Sequence, residues 1–104
     1  MKLKSNLNAD VAEGYGKWKM GNDEDILNQV NSANIACGKH AGDENIMFNT
    51  VKLCNKNNID IGVHPGFSDI EGFCRRRLDI SENNIENLIA YQTGALVGIA
   101  SMLN

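Results

Sequence analysis

The sequence predicts an α/β fold built on a parallel sheet. Two observations carry this. Short, largely apolar runs at Ala33–Cys37 and Ile59–Val63 have the length and composition of strands buried on both faces. Between and after them, residues 44–57 and 81–103 place apolar side chains at helical spacing. Strands that alternate with helices form a parallel sheet, and each crossover is expected to be right-handed.

Taken in order, Lys4 to Ala9 reads as a first strand, with Asp10 following it. Val11 to Gly21 is punctuated by glycine and carries Tyr15 and Trp18, which suits a loop. Asp23 is placed to cap a short helix through Ile26, Leu27 and Val30. The run Ser32–Asp43 is central to the chain. It gives a second strand, then a tight loop in which Gly38 and Gly42 bracket His40, then Asp43 as the N-cap of a helix from Glu44 to Asn57. Met47, Val51 and Cys54 share one face of that helix, and Asn57-Asn58 closes it. Ile59, Ile61 and Val63 form a third strand that stops at His64-Pro65. A long loop, Gly66 to Ile80, precedes Ser81, which caps a last helix. Ile85, Leu88, Ile89, Leu96, Ile99 and Leu103 form its apolar stripe, and Gly94 and Gly98 predict a close packing contact.

The composition excludes several function classes. A net charge of -3 gives no electrostatic footprint for nucleic acid. No apolar run approaches the roughly 20 residues of a membrane span. Met1-Lys2-Leu3-Lys4 leads into no signal-peptide core, so a cytoplasmic protein is expected. Cys37, Cys54 and Cys74 are odd in number and far apart, which fits reduced thiols rather than disulfides or a zinc knuckle. Gly14-Tyr15-Gly16-Lys17 lacks the spacing of a phosphate loop.

The chemistry is expected where parallel strands end. Asp10, His40 and His64 follow the first, second and third strands, so a carboxylate and the chain's two imidazoles point the same way. Such a set can hold zinc with a position left for water. It can equally supply a general base and acid without a metal. Each histidine also has a bland reading as a hydrogen-bonded structural residue. Asn8 beside Asp10, and Glu13 on the next loop, are candidates for substrate contact. Asp43 is a candidate too, although a cap alone would explain it. Arg75, Arg76 and Arg77 are either solvated and paired or bind an anion, with Arg75 the candidate for a substrate carboxylate. Asp69 is expected to stabilise its own loop or pair with these arginines.

Several stretches also resemble the LamB/YcsF family. They are Asn6–Gly14, Tyr15–Leu27, Ser32–Asp43, Gly62–Phe67, Gly72–Arg76 and Tyr91–Leu96. Together they run over nearly the whole chain in the family's order. The pattern departs at Asn6 (an acid in the family), Ala12 (glycine), Lys39 (aromatic), Ser68 (proline) and Cys74 (glycine). Lys39 is expected to bring a cation beside the site and depress the neighbouring imidazole's pKa. The resemblance implies a (β/α)7 barrel-like fold, distantly related to carbohydrate deacetylases. By that relationship it implies a divalent metal, zinc first, at Asp10, His40 and His64. The implied activity is ATP-driven opening of the 5-oxoproline ring to L-glutamate, carried out with partner subunits B and C.

Residues 1–104 are thus expected to form one partial domain, the amino-terminal strand–helix units of a truncated barrel. Such a barrel takes about 250 residues, and the family's later His-x-Lys-Pro-His-Gly run is not in this sequence. Two other outcomes stand beside the 5-oxoprolinase expectation. One is a non-enzymatic chain that at most binds a partner subunit. The other is a metal-dependent amide hydrolase or deacetylase-like enzyme acting on another small molecule.

Overall fold

The computed structural model describes residues 5–103. Three parallel strands, β1 (Asn8–Val11), β2 (Ser32–Ala36) and β3 (Asp60–His64), lie side by side in chain order. They alternate with α1 (Asp23–Leu27), α2 (Glu44–Lys56) and α3 (Glu82–Met102). The α/β class, the parallel sheet and the alternation are those the sequence predicts.

Period-two alternation divides the sheet into two unlike faces. Ala9 and Val11, Ala33 and Ile35, and Ile61 and Val63 share one face. They join the core with Leu27, Met47, Val51, Cys54, Ile59 and Leu96 from the helices and the loop before β3. The opposite face carries Asn8 and Asp10, then Asn34, then Gly62 and His64. Here Asn34 Nδ2 donates to Asn8 Oδ1 (2.9 Å) and to Asp10 Oδ1 (3.2 Å). The burial of both strand faces expected from the apolar runs therefore holds on one face only. The other is polar and leads to the site.

The first strand differs from expectation. It covers Asn8–Val11, so Asp10 lies within it rather than after it. The parallel register explains the shift, because Asp10 sits opposite Asn34 and Val11 opposite Ile35. Lys4 falls outside the described residues. The helix after it also differs. Asn22 caps α1, and the Asp23 carboxylate instead accepts the Ala12 N–H (2.9 Å). The helix ends at Leu27, before Val30.

Asp43 caps α2 and Ser81 caps α3, as their positions predict. Pro65 follows β3 directly, and a residue without an N–H cannot extend the ladder on that side. The close contact expected at Gly94 and Gly98 is absent, since a Cβ at either would meet nothing within 4 Å. Cys37 and Cys54 are buried free thiols, and burial pushes Cys54 up to about 11.

The loop between β3 and α3 is held by Asp69, which is buried although its loop is not. Its carboxylate accepts Arg76 Nε (2.8 Å) and the Gly72 N–H (3.0 Å). The arginine bond is the main reason its pKa is lowered to about 2. A carboxyl group whose pKa falls on folding stabilises the fold above its unfolded pKa, near 4, and loses that contribution as pH falls toward 2. In urea titrations Asp69→Asn is therefore expected to unfold earlier than wild type at pH 6. The gap should narrow below about pH 4 and close by about pH 2. A gap independent of pH would contradict this account.

Candidate active site

The site forms at the carboxyl ends of the three strands, the end at which parallel α/β sheets place their ligands. Each element delivers one part. β3 ends on His64. The loop after β2 turns at Gly38 and Gly42, both at positive φ, and lays His40 inward at 2% exposure. The loop after β1 brings in Glu13. The donor atoms of Glu13, His40 and His64 lie within 4.8 Å of one another. Glu13 Oε2 is 3.6 Å from His40 Nε2, and the two imidazole centroids are 4.7 Å apart. Asp10 Oδ1 stands 3.7 Å from His64 Nδ1.

The predicted trio of Asp10, His40 and His64 is thus rearranged. Asp10 reaches His64, while Glu13, expected only at the mouth, completes the tight cluster. Asn8 lies on the same sheet face as Asp10, linked to it through Asn34. Asp43 is occupied elsewhere, its two oxygens accepting N–H groups from Asn45, Ile46 and Gly16. Burial opposes ionisation there, but those three donors outweigh it and hold the carboxyl below its usual range.

The arginine cluster separates into different roles. Arg76 belongs to Asp69. Arg75 lies over the Phe73 ring at 5.9 Å, and Phe73 packs edge-on against His40 at 5.5 Å. Lys39 does not act as expected. Its ammonium sits over the Tyr91 ring at 4.8 Å. The lowered His40 pKa comes first from burial, then from the charges of His64 and Arg75, against an opposing pull from Asp10.

Burial opposes charge at the centre. A lowered pKa keeps His40 as a free base at neutral pH, the form that binds metals or accepts a proton. Glu13 is pushed up, chiefly by burial and then by Asp10, with His64 opposing. Both His40 nitrogens and His64 Nδ1 are buried with no hydrogen-bond partner among the described residues. Buried polar atoms are normally paired, so these three are poised for something outside the chain. Two imidazoles with a carboxylate are a donor set that zinc accepts. The residues present therefore fit a divalent cation.

Sequence reasoning missed three contributors. Asn34 occupies the polar position of β2 between Asn8 and Asp10, which period-two alternation can reveal. Gly66 packs so tightly on His40 that a Cβ there would overlap the ring. Phe73 adopts a positive φ of 53° and walls the imidazole, and no local pattern marks it.

Comparison with known proteins agrees with this frame. The chain is 53% identical over 102 residues to a protein from Staphylococcus epidermidis named as the A subunit of 5-oxoprolinase, covering 98% of this chain and 40% of that one. It is 49% identical over 94 residues to the protein of the same name from Ruegeria pomeroyi, covering 90% and 37%. The chain thus spans about 40% of the length of these curated relatives. The crystal structure of the lactam utilization protein from Thermus thermophilus matches with a TM-score of 0.93 and 38% identity, covering 96% of this chain and 40% of that one. The three strand–helix units are therefore part of a larger fold in that neighbour. The LamB/YcsF family profile matches residues 5–104, and the chain belongs to that family.

Proposed function

We propose that this chain carries part of the site that opens the ring of 5-oxoproline to L-glutamate, acting as the A subunit of an ATP-hydrolysing 5-oxoprolinase complex with subunits B and C. The observation that supports it most is the buried His40 ring and the half-buried His64 ring, with three nitrogens unpartnered among the described residues, beside two carboxylates, in a chain about half identical to proteins that carry the 5-oxoprolinase name. In this reading His40, His64 and Glu13 would hold a divalent cation, zinc first, with Asp10 beside His64 as a further donor. When bound, the ion supplies Lewis-acid polarisation of the lactam carbonyl and a more acidic water.

The chain's own groups account for the rest. Ring opening adds water across an amide, with hydroxyl going to the carbonyl carbon and a proton to the departing nitrogen. Glu13, whose pKa burial raises above the ordinary carboxylate value, is placed to move that proton. Arg75 offers a guanidinium fork to the substrate carboxylate. Phe73 shields the His40 ring. Asn8 and Asn34 supply amide groups along the polar face of the sheet. ATP enters as co-substrate of the complex, in the cytoplasm.

The test is glutamate release by this chain with subunits B and C. Release is expected to depend on both 5-oxoproline and ATP, and His64→Ala should lower it by about 100-fold or more. No release above the His64→Ala level would overturn the proposal.

A further inference from the structure

Gln92 is a polar residue in the middle of α3 with no exposed surface. Its carboxamide closes a two-bond ring with one backbone residue. The Gly66 N–H donates to Oε1 (2.9 Å), and Nε2 donates to the Gly66 carbonyl (2.9 Å). The other Nε2 hydrogen goes to the Leu88 carbonyl, one turn back on the same helix (3.0 Å). Three of the four hydrogen bonds an amide can make are therefore formed inside the protein. A leucine in this space would leave the buried Gly66 N–H and carbonyl without these partners, so the glutamine is there for what it grips.

Gly66 lies two residues beyond His64, and its Cα presses on the His40 ring with no room for a side chain. Pro65 has already ended the β3 ladder. Gln92 takes up where the sheet stops, pairing with the backbone much as a further strand would. One residue thus follows one imidazole and backs the other, and α3 clamps it.

We infer that Gln92 is a positioning residue for the imidazole pair. Through Gly66 it fixes the segment after His64 against the His40 ring, and so sets how the two imidazoles face each other. The inference rests on the reading of His40 and His64 as the working groups. The hydrogen bonds of Gln92 go to Gly66 and Leu88 rather than to either imidazole.

Two measurements on the chain itself test this, and neither needs catalysis. In wild type, the Gly66 amide should exchange with deuterium as slowly as the Leu96 amide of α3, and at least about 100-fold more slowly than Ser68 in the same loop. Exchange at the Ser68 rate would overturn the clamp. Second, nuclear Overhauser contacts between the His40 ring and the Gly66 α-protons should vanish in Gln92→Met. They should survive in Leu96→Ala, which loosens the same helix through its apolar side. Contacts kept in Gln92→Met, or lost in both variants, would overturn the inference. If Gln92→Met does not fold, Gln92→Glu replaces it, since it keeps the acceptor for the Gly66 N–H and loses the donor.

With subunits B and C, kcat should fall about tenfold or more in the Gln92 variant and hold in Leu96→Ala. An unchanged kcat in the Gln92 variant would count against a positioning role. A wild-type complex that releases no glutamate would instead sink the proposed reaction, leaving exchange and proton contacts to decide on Gln92.

Discussion

Gly42→Ala is expected to cost about 2–5 kcal/mol, enough to leave the protein largely unfolded in mild denaturant. Two penalties combine. Gly42 has a φ of +81°, and a side chain in that left-handed region costs about 1–2 kcal/mol. The new Cβ would also sit 2.5 Å from the Ala12 carbonyl oxygen and 3.4 Å from that of Ala36. Those are backbone atoms of the loop after β1 and of β2, so no rotamer relieves the overlap, and overpacking adds about 1–3 kcal/mol. Backing away would break the bond from the Gly42 N–H to the Gly14 carbonyl (2.7 Å). Domains of this size are stable by only about 5–15 kcal/mol. Gly94→Ala is the internal control. It lies within α3 with open space around it, and should stabilise by up to about 1 kcal/mol. Urea unfolding of the two variants should move in opposite directions. A Gly42→Ala midpoint equal to wild type would refute the argument.

The same geometry explains what the sequence made legible. Alternating apolar runs and helical stripes revealed β2, β3, α2 and α3, because local period and tertiary burial agree there. β1 was harder to read. Its four residues include two polar side chains facing away from the core, and its limits follow from pairing with β2, which no local signal encodes. The strand-end argument found His40 and His64, because a residue at the end of a buried strand has few places to point. It places Asp10 by His64, where the structure has it, but gives Glu13 no place beside His40. Glu13 reaches His40 through the turn at Ala12, which takes a positive φ of 62°. Periodicity does not register a single left-handed residue.

The departures from the family pattern carry physical information as well. Ala12 and Cys74 stand where the resemblance leads one to expect glycine, and both adopt left-handed backbone, at 62° and 61°. The structure keeps the glycine-like conformation at both places without the glycine, at a strain of about 1–2 kcal/mol each. At Cys74 part of that is offset, since its Sγ accepts the Phe67 N–H (3.2 Å). Lys39 shows the opposite case. Adjacency in sequence suggested a cation beside His40, but the chain turns between them and the ammonium lies over Tyr91 instead.

His40→Leu is expected to separate stability from function. The imidazole is 2% exposed, with both nitrogens unpartnered among the described residues and its charged form disfavoured first by burial. A histidine kept for structure would hold hydrogen bonds here, and losing it would cost about 1–3 kcal/mol. His40 holds none, so folding already carries the cost of desolvating its two nitrogens. Leucine is of similar volume and packs against Phe73 and the Gly66 backbone without that cost. The variant should therefore gain about 1–2 kcal/mol of stability in urea, as active-site substitutions often do when strained or desolvated polar groups are removed. Glutamate release with subunits B and C should fall by about 100-fold or more, and zinc binding to the chain should weaken in parallel. A loss of stability of about 2 kcal/mol would show that the imidazole is part of the fold's support. A stability gain with zinc affinity unchanged would instead remove His40 from the ligand set and leave His64 with the two carboxylates.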